Sequence, residues 1–248
     1  DFTDYPLYLL DKLEQYNEKI YSTDALFVDE LQDVDEEQYY IFNRVEATKK
    51  FFIGDAQQAI YLFRGADMEI FNKLQDFEYK TLKVNYRSYQ EILDYARTFY
   101  TALEPKLGRV NNLLVSNITY TKPGDVMCIR GRGGYVWVLD PFGNTTLIGT
   151  GTVDTYTMGI NFLNRKPMIL CRTNKQVKMI EELGWRDVST VHQAKGLEYD
   201  NVISVDTPLD DREDLNVAYV AATRARNGLL VANFQQLYKL ILLWKQKH

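Results

Sequence analysis

The stretch Ala25–Asp33, ALFVDELQD, constrains this chain more than any other. Four apolar residues, a predicted buried strand, run straight into adjacent carboxylates at Asp29 and Glu30, with Gln32 and Asp33 just behind. A parallel strand delivers its carboxyl end to the crevice at the edge of an open α/β sheet, where such proteins bind ligands. Two carboxylates at that place suit a magnesium ion and the positioning of an attacking water. Apolar strands also end in acids where nothing binds, so the residues that follow must decide between the two readings.

The surrounding pattern is that of a parallel α/β protein. Leu7, Leu9, Leu10, Leu13 and Tyr16 mark an amphipathic helix before the strand. Asp35–Val45 reads as a helix after it, with an acidic first turn that suits the helix dipole. FFIGD at Phe51–Asp55 is a second apolar run ending in glycine and an acid. A helical stretch about Asp67–Leu74, a strand at Thr81–Val84 and a long helix from Tyr89 to Leu103 follow. Such alternation predicts a parallel sheet. Residues 105–157 differ, being rich in Gly, Asn and Thr. They carry strand-like runs at Val126–Ile129, Tyr135–Leu139 and Thr145–Ile148, with a hairpin turn at Pro141–Asn144. Alternation then resumes: strand at Pro167–Cys171, helix over Lys175–Leu183, strand near Val202–Val205, helix near Leu215–Ala225, strand at Leu229–Ala232 and a closing helix.

Composition narrows the class. With 248 residues, 46% apolar and 25% charged, the chain suits one large globular domain or two ordinary ones. No run approaches the roughly 18 apolar residues of a membrane span, and no secretory signal is present, so no membrane partner is expected. A net charge of −5 gives no global basic footprint for nucleic acid, while a local groove of Arg and Lys remains open. Cys128 and Cys171 make no disulfide framework and sit beside apolar residues, as buried thiols of a reducing compartment do. His192, one of two histidines, has no companions at metal-ligand spacing, so zinc is not expected.

Six segments in order carry the chemistry: VDELQD at Val28–Asp33, GDAQQAIYLFRGA at Gly54–Ala66, LKVNYRS at Leu82–Ser88, MILCRTN at Met168–Asn174, STVHQAKGLEYDNVI at Ser189–Ile203 and EDLNVAYVAATRAR at Glu213–Arg226. Taken together they closely resemble motifs II to VI of the UvrD/Rep-like superfamily 1 DNA helicases, over roughly residues 20–232. The resemblance implies an α/β fold of two RecA-like P-loop NTPase lobes with parallel sheets. The first, incomplete, would cover residues 1–80. The second would cover 81–248, with residues 105–157 as a β-rich elaboration.

Site roles follow from the same resemblance. Asp29 would hold magnesium, Glu30 would orient the water attacking the γ-phosphate, and Gln58 would sense that phosphate. Phosphoryl transfer needs positive charge more than covalent help, and Arg87 and Arg224 match the family's two arginines for that purpose. Tyr86 would stack on the adenine, Glu198 would contact the ribose, and Gly196 would let the backbone turn close to the nucleotide. Single strands are held by aromatic platforms and by charge along the backbone. Phe63 occupies the family's base-stacking place, flanked by Tyr61 and Arg64, and Thr190, His192 and Lys195 lie in the motif lining the DNA side. The implied protein is the C-terminal motor portion of an ATP-dependent, 3′-to-5′ DNA helicase or translocase using ATP and Mg2+. Its partners would be single-stranded DNA or a single-strand/duplex junction, together with replication or repair proteins. Its place would be cytoplasmic in a bacterial or phage setting, with nucleoid association.

Three departures qualify this. No GxxxxGK(S/T) phosphate loop occurs, and GRGG at Gly131–Gly134 lacks the lysine and hydroxyl. The chain starts at Asp1 rather than methionine, so the expectation is that the loop precedes Asp1 and that the isolated chain turns over ATP negligibly. About fourteen residues separate MILCRTN from STVHQAKG, where larger relatives insert a mobile subdomain, so a compact motor is expected. Gln57 and Asn216 stand where the family often has an acid and a base. The competing reading is an inactive fragment or degenerate relative that binds DNA or protein. A third is a subunit of a nuclease-fused or repair complex whose nuclease site lies outside this chain.

Overall fold

The computed structural model describes residues 4–16, 22–61, 66, 68–74, 76–80, 82–99, 127–130, 132–139, 145–148, 155–205 and 212–247. Described residues up to Tyr79 form one compact unit, and those from Lys80 onward form a second.

In the first unit, helix α1 (Asp4–Tyr16) precedes strand β1 (Ser22–Val28), helix α2 (Glu36–Arg44) and strand β2 (Glu46–Phe52). The two strands pair in parallel, with Val28 opposite Phe52. A capping box fixes where α2 begins: Asp35 accepts from the Gln38 N–H at 2.7 Å, and the Gln38 side chain accepts from the Asp35 N–H at 3.2 Å. Glu36 and Glu37 then face the positive end of the helix dipole. Val28, Leu31, Val34, Tyr39, Ile70 and Leu74 make the core. Two details are finer than the sequence alone gives. Strand β2 begins at Glu46, ahead of the apolar run, because pairing with β1 requires only backbone and leaves Glu46, Thr48 and Lys49 exposed. The helical stretch expected about Asp67–Leu74 is present at Met68–Leu74 as a 3₁₀ helix.

In the second unit, β3 (Val84–Asn85) pairs in parallel with β4 (Met127–Cys128), and residues 90–99 form α3. Then come β5 (Tyr135–Leu139), β6 (Thr145–Ile148), α4 (Thr155–Leu163), β7 (Met168–Cys171), α5 (Asn174–Glu182) and β8 (Val188–Thr190). The unit closes with β9 (Tyr199–Val205), α6 (Arg212–Thr223), β10 (Ala225–Ala232) and α7 (Phe234–Lys247). The main sheet has the order β6-β5-β10-β9-β7-β8, parallel except for the β5–β6 pair. This is the α/β fold with parallel sheets that the sequence predicts.

The strands expected at Tyr135–Leu139 and Thr145–Ile148 in the β-rich segment are present. Strands β5 and β6 are members of the main sheet: Tyr135 lies opposite Gly228, Val138 opposite Val231, and β6 pairs with β5. Successive residues Val136 and Trp137 point to opposite faces and are both buried, as in a strand covered on both sides. The Tyr135 ring lies so close to Gly228 that a Cβ there would sit 2.2 Å from it, which leaves room only for glycine. The turn expected at 141–144 falls outside the described residues, although Leu139 pairs with Thr145 on either side of it. Helix α4 and strand β8 were not foreseen. Cys171, fully buried in the core, has its thiol pushed up to about 12 by desolvation, in line with a structural role. Among the described residues no helix is long and apolar enough to cross a membrane.

Candidate nucleotide and nucleic-acid site

The acidic strand end is tied to the following strand end by one buried amide. Strand β1 leads into Asp29 and Glu30, both exposed, and then into a 3₁₀ turn at Leu31–Asp33. Asp29 Oδ1 accepts from the Glu30 N–H at 2.9 Å. Glu30 takes a left-handed backbone, φ 53° and ψ 42°. A non-glycine residue so held costs on the order of 1–3 kcal/mol, and such residues cluster where geometry serves function. Gln32, fully buried, donates from Nε2 to Glu30 Oε2 and accepts on Oε1 from the Asp55 N–H at 2.9 Å. The Asp55 carboxylate in turn accepts from the Gln57 N–H and from Gln58 Nε2, each at 2.9 Å. Glu30, Gln32, Asp55 and Gln58 thus form one continuous chain of hydrogen bonds.

Gly54 permits this approach. A Cβ there would lie 2.8 Å from Gln32 Oε1 and 3.0 Å from the Leu31 Cβ. Gly54→Ala should therefore cost about 1–3 kcal/mol, the range for overpacking a fixed site, read as a lowered urea midpoint. A midpoint equal to wild type would show that the Gln32 amide is free to move aside.

Asp29 suits a hard cation, since Mg2+ is commonly held by one or two carboxylates with waters and phosphate oxygens completing the shell. Among the described residues no three His, Cys, Asp or Glu side chains gather to hold a metal on their own. Tyr61 is half-buried, while Phe63 and Arg64 lie outside the described residues.

The second unit gathers the arginines. Asn85, at the end of β3, accepts on Oδ1 from the N–H groups of Arg87 (3.0 Å) and Ser88 (2.9 Å), an Asx-type turn that sets the direction of the chain. Arg87 donates from Nε to Glu198 Oε2 at 2.9 Å and from Nη1 to the Thr223 carbonyl at 3.3 Å. Its Nη2 has no hydrogen-bond partner among the described residues. Glu198 also faces Arg226 Nη1 at 3.4 Å, so the carboxylate expected at a ribose lies between two guanidinium groups. Tyr86 is 70% exposed, which leaves its ring faces open to stacking.

Arg224 is placed quite differently. It is 1% exposed, donating to the carbonyls of Val220 (3.1 Å) and Leu197 (3.2 Å) and to Thr223 Oγ1 (3.3 Å). The structure therefore brings Arg87, Glu198 and Arg224 together around residues 197–198 and 223–224. Gly196 has φ 79° with open space around it, so backbone conformation rather than crowding favours glycine there. The end of β8 and the turn after it carry the remaining expected residues. Thr190 is buried and accepts from the Gln193 N–H at 3.2 Å, and His192 and Lys195 are half-buried. Sequence reasoning gave no role to Gln32, Asp55, Asn85 or Thr223. For Asn85 a signal existed, since asparagine before a chain reversal is a common turn residue.

Comparison with known proteins now decides the family. Residues 1–78 match the UvrD/REP helicase N-terminal domain, and residues 187–232 match the UvrD-like helicase C-terminal domain. The chain belongs to the UvrD/Rep-like helicases. It is 27% identical over 257 aligned positions to a probable DNA helicase of Mycoplasma pneumoniae, covering 89% of this chain and 45% of that protein. It is 37% identical over 81 residues to the Gabija protein GajB of Bacillus cereus, covering 30% of this chain and 16% of that one. It is 43% identical over 67 residues to the RecB subunit of Escherichia coli RecBCD, covering 25% of this chain and 6% of that subunit. The chain thus spans less than half the length of these curated relatives. Among solved structures, a PRRSV helicase superposes with a TM-score of 0.50 at 16% identity, over 85% of this chain and 35% of that one, a likeness of fold.

Proposed function

We propose that this chain is a motor portion of an ATP-dependent DNA helicase that moves 3′-to-5′ along single-stranded DNA. The observation that carries the reading is the buried Gln32 amide, which joins Glu30 at one strand end to the Asp55–Gln58 turn at the next. Such a linkage lets a change at a phosphate felt by Gln58 reach the residue that orients water. When bound, magnesium at Asp29 supplies charge neutralisation for the phosphates. Glu30 orients the attacking water and takes up its proton. Arg87 stabilises negative charge developing on the γ-phosphate and keeps Nη2 for that purpose while Glu198 steadies its Nε; Arg224, held inward on the Val220 and Leu197 carbonyls, adds to that charge only on turning outward. Tyr86 and Gly196 serve the nucleotide. Thr190, His192 and Lys195, with Tyr61, Phe63 and Arg64, contact the DNA strand. The two RecA-like lobes are residues 1–80 and 81–248, a reading supported by the division into compact units at Tyr79 and Lys80. Partners are single-stranded DNA or its junction with duplex, and proteins of replication or repair.

The sequence has no phosphate loop, which favours a second reading: a module that binds DNA or protein without turnover. One experiment separates the two. Full-length protein is mixed with ATP, Mg2+ and oligonucleotides bearing biotin–streptavidin at either end. Release of streptavidin from the 5′ end alone is the expected result. Release from the 3′ end alone overturns the polarity, and binding without release from either end leaves the module.

A further inference from the structure

Arg130, just after β4, received no role from the sequence, yet it holds both arginine-bearing segments. Its Nη1 donates to the carbonyl of Arg87 at 2.9 Å and to that of Arg226 at 3.0 Å, and its Nη2 donates to Asn227 Oδ1 at 2.9 Å. The guanidinium carbon lies 4.0 Å from the centroid of the Tyr89 ring, a stacked cation–π arrangement. Both carbonyls belong to the contact between residues 85–89 and 223–227. There, Ser88 Oγ donates to the Ala225 carbonyl at 2.6 Å and the Tyr89 N–H to the Arg226 carbonyl at 3.2 Å.

Arg130 is itself anchored on both sides. The preceding N–H, of Ile129, donates to the Asn85 carbonyl at 3.1 Å. Downstream, the N–H groups of Gly133 and Gly134 donate to the Glu91 carboxylate at 3.2 and 3.1 Å. Gly133 and Gly134 of the glycine-rich run are thus engaged by a protein carboxylate. Gly134 also lies against Tyr89, where a Cβ would come within 2.5 Å of the Tyr89 Cβ.

We propose that Arg130 is a positioning residue for phosphoryl transfer: it fixes the backbone of Arg87 against residues 226–227, so that the Arg87 side chain is held at one place on Thr223 and Glu198. The proposal rests on the reading that Arg87 serves the γ-phosphate. Only a planar guanidinium joins two carbonyls, an amide and a ring face at once; a lysine supplies a point charge and no fork. Displacement of a catalytic group by about 1 Å costs on the order of 100-fold in rate. Loss of this support therefore falls on turnover more than on substrate affinity.

The test compares single-strand-stimulated ATP hydrolysis by full-length wild type, R130A, R130K and R87A, with melting temperatures for each. R87A should lose most turnover. R130A and R130K should each lose kcat by about 10–100-fold, with KM for ATP within about threefold of wild type and melting temperatures close to wild type. If R87A is impaired while R130A and R130K keep kcat within about twofold, the positioning role is overturned and the proposed function stands. A kcat loss confined to a thermally destabilised R130A, with R130K normal in both respects, overturns it too, because packing then suffices. If R87A turns over normally, the proposed role of Arg87 fails first, and that of Arg130 with it.

Discussion

Glu30→Gln in the full-length protein is expected to abolish DNA-stimulated ATP hydrolysis while leaving nucleotide binding nearly intact. The substitution keeps size and one oxygen, so the acceptor that receives Gln32 Nε2 survives. The left-handed backbone is equally open to either residue. What disappears is the negative charge that orients a water and accepts its proton, a contribution of about 100- to 10,000-fold. Steady-state hydrolysis and titration with a fluorescent nucleotide measure the two effects separately. Turnover unchanged would remove Glu30 from the chemistry. Affinity and turnover falling together would instead point to collapse of the Gln32 linkage.

The second large effect is expected at Arg224, and it is one of stability as much as of rate. Its guanidinium lies inside the second unit against the Val220 and Leu197 carbonyls and Thr223 Oγ1. Arg224→Ala removes the donors to these buried acceptors and leaves a cavity. The Val220 carbonyl keeps the Thr223 hydroxyl as donor, so the cost comes from the cavity and the Leu197 carbonyl; a loss of about 1–3 kcal/mol is expected, seen as a lower denaturant midpoint with an unchanged slope. A variant as stable as wild type would show that water or neighbouring side chains readily replace the guanidinium. The comparison with Arg87→Ala is informative, since Arg87 is about one-third exposed and its removal should cost little stability. Loss of turnover in both variants, with loss of stability in Arg224→Ala alone, is the pattern the geometry predicts.

Much of this protein is legible in its residues, and the exceptions share a cause. Strand β1 and its acids, helix α2 with its acidic first turn, and strands β5 to β7 were readable because periodicity and helix-end charge are local. The six motifs located the residues of the candidate site. They could not say which way a side chain turns, so the inward course of Arg224 and the pairing of Glu198 with Arg87 had to come from the fold. Membership of β5 in the main sheet was equally hidden, because it depends on a strand far along the chain. The polar first half of β2 lacks alternation, as its position is held by backbone pairing with β1.

The pairing of β5 with β10 also has a consequence for biosynthesis. Tyr135 meets Gly228, so the strand YVWVL waits for a partner about 90 residues further along. At roughly 5–20 residues per second, a ribosome needs about 5–20 s to supply it. During that interval one edge of an apolar strand lacks its native neighbour, the condition under which nascent chains associate wrongly. Slowing translation between these strands should lower soluble yield, whereas the early β1–β2 pair should be indifferent to it.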